Sequence, residues 1–499
     1  MSGTTRAEKA ATGVSGLDEI LAGGLARNRL FLLEGAPGTG KTTIALQFLM
    51  EGARLGEKGL YITLSETEEE LREGAASHGW TLGENIEVFE LVPPESLLDA
   101  NQQQSMLYSS DLELGETTRR IFEVVEGAQA SRVVLDSLSE IRLLAQGSLR
   151  YRRQVLALKH YLSRHKATVL LLDDMTAEKD DKTVHSVAHG VLQLEELAPL
   201  YGAERRRLRV AKYRGTRYRG GFHDFAIADG GVVAFPRLVA AEHRTGFSRD
   251  VLSSGLPELD SLVGGGLQRG SATLLIGPSG AGKSLLALTF LAAAVGRGET
   301  VAAFVFDEEP GLLFARTKAI GIDLEAMCES GKLVLTSVDA AELSPGEFAH
   351  KIRACVEDHH AQTVVIDSLN GYQAAMPEEQ FLVLHMHELL HYLNRHGVST
   401  FVTLAQHGLV GDMQSPVDVT YLSDTIVLLR YFEAAGEVRR ALSVIKKRTG
   451  SHETTIREFT IDDRGLRLGA VLQEFQGVLR GTPTYSGSGA HLLGGKAKG

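Results

Sequence analysis

The chain has 499 residues, 43% hydrophobic and 23% charged, values of a folded globular protein that argue against a disordered or low-complexity chain. Its 63 acidic and 52 basic side chains leave a net charge of −11, so no global field draws it to nucleic acid or an anionic membrane. Cys328 and Cys355 stand alone, without CxxC spacing, which argues against a disulfide framework or zinc site and agrees with a reducing cytoplasm.

Met1 to Ala10 is polar and lacks the apolar core of a signal peptide. The first strand signal, Leu30-Phe31-Leu32-Leu33, runs into Gly35-Ala36-Pro37-Gly38-Thr39-Gly40-Lys41-Thr42, followed by the helical pattern Ile44 to Leu49. This is GxxxxGK[ST]: glycines let backbone N–H groups curl around anionic oxygens, the lysine reaches β- and γ-phosphates, and the hydroxyl binds Mg²⁺. The helix N-terminus adds its positive end. Further strands are expected at Leu60 to Leu64, Val133 to Leu135 and Val169 to Leu172.

Two of these strands end in chemistry. Val133-Val134-Leu135-Asp136-Ser137-Leu138 places Asp136 where a phosphate-loop fold holds the Mg²⁺ water shell, although a strand can also simply run into an Asp-Ser turn. Leu64-Ser65-Glu66-Thr67 offers Glu66 to orient or activate water, or to favour a helix N-terminus. From Arg205-Arg206-Arg207 through Arg209, Lys212, Arg214, Arg217 and Arg219 runs the strongest local positive charge. It reads as a subunit-interface strand, a nucleic-acid patch or a solvated face; few aromatics beyond Tyr213 and Tyr218 interleave it, which disfavours single-strand stacking.

The same series then repeats. Leu17-Asp18 returns as Leu259-Asp260, Gly23-Gly24-Leu25 as Gly265-Gly266-Leu267, and Gly35 as Gly277, each displaced by 242 positions. The second loop, Gly277-Pro278-Ser279-Gly280-Ala281-Gly282-Lys283-Ser284, follows Ala272 to Ile276 and precedes Leu285 to Val295, an apolar run too short for a bilayer. Strands are expected at Val301 to Phe306, Val364 to Ile366 and Phe401 to Leu404, with Asp367-Ser368 and Asp307-Glu308-Glu309 as the second carboxylate motifs. Continuous apolar strands between helices predict an α/β fold with a mainly parallel sheet in each half. The expected division is a first domain over 1–235, a linker over 236–247, a second domain over 248–470 and a flexible tail over 471–499.

The Leu-Asp and Gly-Gly-Leu entry, both phosphate loops, the post-strand glutamates, the Asp-Ser strands and a late Lys-x-Arg in each half resemble the KaiC family of double-domain RecA-like ATPases. The resemblance runs from Thr12 to Thr484. It implies two tandem RecA-like P-loop NTPase domains, ATP and Mg²⁺ as cofactors, a homo-hexameric double ring with nucleotide at subunit interfaces, hydrolysis in the first ring, and autokinase and phosphatase activity in the second. Signalling or clock-type protein partners are implied as well, with nucleic acid and membrane disfavoured.

By position, the resemblance assigns nucleotide contacts to Gly35, Gly38, Thr39, Gly40, Lys41, Thr42 and Thr43, and to Gly277, Gly280, Ala281, Gly282, Lys283, Ser284 and Leu285. It adds Lys212, Tyr213, Arg214 and Thr216, and Lys446, Lys447 and Arg448, as segments reaching a neighbour's nucleotide, with Ser77, Tyr218, Asp229, Arg440 and His452 as further contacts. Thr42, Asp136, Ser284, Glu309 and Asp367 form the implied metal set, and Glu308 falls on the catalytic base with Glu309 its partner. Two departures stand out. Ser65-Glu66 replaces a pair of glutamates, and Thr420-Tyr421 replaces an adjacent Ser-Thr acceptor pair, leaving Thr420, Tyr421 and Ser423 as candidate phosphoacceptors. A RecA-like recombination accessory and a nucleotide-held scaffold remain the alternative readings.

Overall fold

The computed structural model describes residues 8–91, 106–175, 183–198, 202–242, 246–306, 308–376, 379–406, 420–434, 436–480 and 483–487. The chain divides into two compact units, Met1–Arg237 and Leu238–Gly499.

In the first unit, nine strands form one sheet: β1 (Leu30–Glu34), β2 (Gly59–Thr63), β3 (Ile86–Glu90), β4 (Arg132–Asp136), β5 (Thr168–Asp173), β6 (Gly190–Leu197), β7 (Arg205–Tyr213), β8 (Phe222–Ala228) and β9 (Gly231–Phe235). Their order is β3-β2-β4-β5-β1-β6-β7-β8-β9. The members from β3 to β6 run parallel, and β7, β8 and β9 extend the sheet antiparallel. The helices used below are α1 (Lys41–Arg54), α2 (Glu68–Ser77), α3 (Met106–Ala128), α4 (Leu138–Ala145) and α5 (Ser148–Arg164). Alternation explains the two-sided burial. Along β1, Phe31 and Leu33 enter one apolar cluster while Leu30 and Leu32 enter the other.

The second unit repeats the plan with β10 (Ala272–Gly277), β11 (Val301–Val305), β12 (Leu333–Ser337), β13 (Thr363–Asp367), β14 (Ser399–Ala405), β15 (Thr425–Ala434), β16 (Glu437–Lys447), β17 (Arg457–Asp462) and β18 (Gly465–Val471). The order β12-β11-β13-β14-β10-β15-β16-β17-β18 is position for position that of the first sheet. Here α6 (Lys283–Gly296), α7 (Pro310–Lys318), α8 (Pro345–Glu357) and α9 (Glu379–Arg395) cover the faces. Both units are therefore α/β with a mainly parallel sheet, and each carries an antiparallel extension that the apolar runs did not announce.

The duplication reaches the ion pairs under the sheets. Arg27 meets Glu57 at 2.6 Å, and 242 positions later Arg269 meets Glu299 at 2.5 Å. Asp18 accepts from the amide and hydroxyl of Thr12, as Asp260 does from Ser254.

Two stretches differ from expectation. Leu238 and Ala240, expected in a linker, are buried in the second unit's core, where Ala240 exchanges hydrogen bonds with Glu388 and Arg395 of α9. Residues 472–480 and 483–487, expected in the tail, also fold: Val478 is fully buried against Phe432, Ala434 and Ala441, and Phe475 packs edge-on to Phe432 and Tyr485, while the rest of the expected tail lies outside the described residues. Apolar side chains this sparse leave no periodicity, yet fully burying Val478 is worth roughly 1.5–3 kcal/mol, and the partly buried Phe475 adds to it.

Candidate functional site

Each phosphate loop links a buried strand to a helix. Gly38 and Gly40 have φ of +86° and +93°, and Gly280 and Gly282 have +74° and +103°, the left-handed region glycine reaches without strain. A Cβ on Gly40 would fall 2.8 Å from Ile227 on β8, so the antiparallel extension closes on the loop. Thr39, fully buried, donates to the carbonyl of Ala36 at 2.7 Å and braces the turn.

The two lysines adopt one geometry. Lys41 Nζ donates to the carbonyls of Gly35 and Ala36 at 2.9 and 3.0 Å; Lys283 Nζ donates to those of Gly277 and Pro278 at 3.0 and 2.8 Å. Burial lowers the Lys283 ammonium below its ordinary pKa, and Asp367 opposes that. Among the described residues only Lys41 of the two adds an ion pair, 2.8 Å to Asp174 Oδ1. Thr42 and Thr43, like Ser284 and Leu285, occupy the first helical turns behind the loops.

The strand-end aspartates stand beside these lysines but are held differently. Tyr61 on β2 donates its hydroxyl to Asp136 Oδ2 at 2.5 Å, and Thr42 bonds to both. Burial raises the Asp136 carboxyl and the Tyr61 bond pulls it back, with Asp174 raising it further and Lys41 lowering it. Asp367 instead accepts from Thr403 of β14 at 2.5 Å. Position 303, opposite Tyr61 in the repeat, is alanine. Both Asp-Ser peptide bonds are cis.

The glutamates separate into distinct roles. Thr63 Oγ1 accepts from the Glu66 amide at 2.9 Å and donates to its carbonyl at 2.8 Å, fixing the turn after β2. Burial raises the Glu66 carboxyl, with Asp136, Glu70 and Asp174 adding to it and Lys41 opposing. Glu66 is not the helix cap: Thr67 and Glu70 cap α2 reciprocally. In the second unit Glu309 is the cap of α7, accepting from Leu312 N at 2.9 Å, and the amides of Gly311 and Leu312 hold its carboxyl below the usual range. Glu308 meets Arg316 through both oxygens, at 2.9 and 2.6 Å. Asp307 lies outside the described residues.

The late Lys-x-Arg segments end β7 and β16. Lys212 donates to the carbonyls of Ala188 (2.9 Å) and His185, and Arg214 to that of Ser186 at 2.7 Å. In parallel, Lys446 donates to Thr420 O at 2.9 Å and Arg448 to Tyr421 O at 2.6 Å. The intervening residues face the other way, as strand alternation requires. Tyr213 accepts from Ala26 N and donates to Gly24 O, at 2.8 and 2.9 Å, with Thr216 also bonded to it. Lys447 donates to the carbonyls of Val263 and Gly266. Tyr213 and Lys447 therefore tie the Gly-Gly-Leu turns of their own units, and are not gathered with the flanking cations. Tyr421 is exposed and Ser423 is buried at 2% exposure.

The remaining assigned positions scatter. Arg440 lies over the ring of Tyr431 at 5.6 Å, and Tyr431 reaches the second loop at Ser279 O, 3.5 Å. Asp229 is exposed at the turn between β8 and β9, Tyr218 packs on the first unit's core, Ser77 Oγ donates to Gly74 O at 2.7 Å, and His452 is half-buried after Arg448. The arginine run is largely paired: Arg206 with Glu196 and Arg207 with Glu195, the cross-strand partners on β6, while Arg209 donates to Gln193. Neutralisation by the adjacent strand weakens the nucleic-acid reading of that run.

Among the described residues no cluster of three or more His, Cys, Asp or Glu could by itself enclose a metal ion. Mg²⁺ does not need one, since it takes one or two protein oxygens and completes its octahedron with water and phosphate. Thr42 beside Asp136 fits that pattern. No described helix is long and apolar enough to cross a membrane.

Tyr61, Thr403, Arg316 and Asp174 were not singled out in the sequence. Tyr61, Thr403 and Asp174 act through partners far along the chain, while Arg316 reaches Glu308 only eight positions before it, across the turn that opens α7.

The family model for the KaiC ATPase matches residues 10–239 and again 252–472. The circadian clock protein KaiC3 of Synechocystis sp. is 29% identical over 486 residues, covering 96% of this chain and 95% of that protein. The circadian clock oscillator protein KaiC of Thermostichus vulcanus is 28% identical over 487 residues, covering 96% and 92%. That of Acaryochloris marina is 29% identical over 491 residues, covering 95% and 91%. Two phosphate loops of one geometry, in two sheets of one strand order, thus meet a family model that itself matches twice: the chain belongs to the KaiC family of ATPases.

Proposed function

We propose that this chain binds ATP at both phosphate loops, hydrolyses it, and assembles with nucleotide into a homo-hexameric double ring acting in signalling or clock-type regulation. The observation that carries the reading is the shared lysine geometry: Lys41 and Lys283 each sit on the first two loop carbonyls, 2.8–3.0 Å away, beside a strand-end aspartate. A buried ammonium aimed into a glycine cradle is matched to a polyphosphate.

Thr42 with Asp136, and Ser284 with Asp367, would hold Mg²⁺; Glu309, committed to capping α7, is left out of the set. When bound, the ion offsets charge on the β- and γ-phosphate oxygens. Glu308 takes the water-activating or hydroxyl-activating role in the second site, released from Arg316 as substrate enters, and Glu66 orients water in the first. Lys212 and Arg214, and Lys446 and Arg448, complete a neighbour's site. The C-terminal unit phosphorylates itself near Thr420, the half-buried hydroxyl in the turn held by Lys446 and Arg448. Ser423 is too buried to be reached first and Tyr421 is exposed but bulky.

Size-exclusion chromatography with and without ATP–Mg²⁺ tests the assembly. Smaller species alone and a ring of six with nucleotide are expected; a monomer under both conditions contradicts the trans sites.

A further inference from the structure

Two adjacent aspartates follow Leu172 at the end of β5, and they do different things. Asp173 is committed to the fold: Arg142 donates to both its oxygens, at 2.7 and 3.3 Å, and Met175 N donates to Oδ1 at 3.2 Å. Asp174 turns to the phosphate loop, with Oδ1 2.8 Å from Lys41 Nζ and its amide donating to Ser139 Oγ at 3.3 Å.

Topology fixes this placement. β5 lies between β1, which feeds the loop, and β4, which ends in Asp136. Gly35 N donates to Asp173 O at 3.1 Å, so the next residue stands between the loop and the strand-end carboxylate. The charge of Asp174 is felt at both Glu66 and Asp136.

The second site is built otherwise. In the matching register Gly277 pairs with Ala405, and β14 ends Leu404-Ala405, with Gln406 next, without an acid. Ala405 uses its amide and carbonyl on Asn370, at 2.7 and 3.0 Å. Among the described residues no ion pair joins Lys283 to a carboxylate.

A third carboxylate beside a lysine meant for phosphate weakens anion binding, because like charges repel. It is useful if it accepts a proton. We propose that Asp174 is the proton acceptor for hydrolysis in the first site, a catalytic residue absent from the second; this rests on the reading that the first loop binds ATP. As Lys41 moves onto the β- and γ-phosphate oxygens, Asp174 Oδ1 is released beside them. The oxygen of a water forms a bond to the γ-phosphorus while the bond from that phosphorus to the bridging oxygen breaks. Asp174 takes the water's proton, ADP departs with the bridging oxygen, and the proton passes on to the released phosphate or solvent. Ser139 and the Asp173–Arg142 pair hold the strand end in place.

The test uses the full chain carrying Lys283→Ala, so that turnover reports the first site, with binding of a fluorescent ATP analogue measured alongside. Asp174→Asn should keep or tighten binding while single-turnover hydrolysis falls about 10²–10⁴-fold. Asp174→Glu should restore part of the rate. The same variants in the otherwise native chain should lose the first site's share of turnover, which covers the case of a background that assembles poorly. Hydrolysis in Asp174→Asn within threefold of its parent, with Glu66→Gln carrying the large loss instead, would make Asp174 a tether for Lys41 and overturn the proposal alone. An unsubstituted chain that hydrolyses nothing would overturn the proposed function and this proposal together.

Discussion

Lys446 donates from its ammonium to the carbonyl of Thr420 at 2.9 Å, so the cation proposed to reach a neighbour's nucleotide also fixes the turn bearing the candidate acceptor hydroxyl. Burial lowers the Lys446 ammonium, with Arg448 adding to that and Asp424 opposing. Under the proposed function, one side chain would serve both assembly and acceptor placement.

Lys446→Met should therefore reduce label transferred from γ-labelled ATP to the peptide spanning Thr420 to Arg430, by tenfold or more on the scale of one lost charge-assisted contact. Peptide mapping after incubation reads it. Label unchanged in the variant would show that Lys446 does not place the acceptor, and label absent from that peptide in the native protein while hydrolysis continues would remove the autokinase reading and leave an ATPase.

Glu308 is held by Arg316 through two hydrogen bonds, which separates two substitutions. Glu308→Gln should spare nucleotide binding and cut second-site turnover about 10²–10⁴-fold, the usual loss for a general base. Arg316→Gln should leave turnover within tenfold, because it removes only the partner. Equal losses in both, measured in a Lys41→Ala background, would assign the pair to folding of α7.

The buried ion pairs make a stability prediction. Arg132 has no exposed surface and donates to Glu57 at 2.7 Å, while Arg27 meets the same carboxylate at 2.6 Å. Burial pushes Glu57 up, but the hydrogen bonds from Arg27 and Arg132 hold it at about 2. Glu57→Gln should destabilise the first unit by about 3–5 kcal/mol at pH 7, since it strands a buried guanidinium. A carboxyl lowered from 4.5 to about 2 gives stability present above pH 4.5 and lost as pH falls toward 2. In denaturant titrations the gap between native protein and variant should narrow across that window; a constant gap would show that the carboxylate's charge is not what matters.

His223 makes the opposite kind of prediction, for a base kept neutral. Its Nε2–H faces Arg219 O at 2.9 Å and its Nδ1 accepts from Arg237 N at 2.8 Å. Burial pushes its pKa down to about 4, and the Arg219 carbonyl bond opposes that. The folded pKa lies below the unfolded one, so stability is full above pH 6.5 and is lost as pH falls through about 4. The loss approaches about 3 kcal/mol by linkage. His223→Gln should flatten this limb in pH-dependent unfolding of the first unit. An unchanged limb would locate it elsewhere.

What was legible in the sequence was what repeats locally. Leu30 to Leu33 and Ala272 to Ile276 read as buried strands because both faces are covered, and the glycine spacing around Lys41 and Lys283 carries its own geometry. β7 was harder: Arg205 to Arg209 reads as charge, and only its pairing with Glu195 and Glu196 across the sheet reveals a strand neutralised by its neighbour. The two aspartates could be placed at strand ends but not their partners, since Tyr61 and Thr403 reach them from different strands. Asp174 drew no reading, because its partner Lys41 lies far along the chain and reaches it only through the sheet. Glu309 satisfied two readings in sequence, and its bonds to Gly311 and Leu312 show the helix cap.

The most direct measurement is nucleotide stoichiometry per chain, by calorimetry or native mass spectrometry with ATP–Mg²⁺ and the single-loop variants. The native chain should bind two nucleotides, Lys41→Ala and Lys283→Ala one each, and the double variant none, because each lysine supplies the charge that neutralises the phosphates in its own loop. A native chain that binds one nucleotide, or a single-loop variant that still binds two, would contradict the account of two working sites.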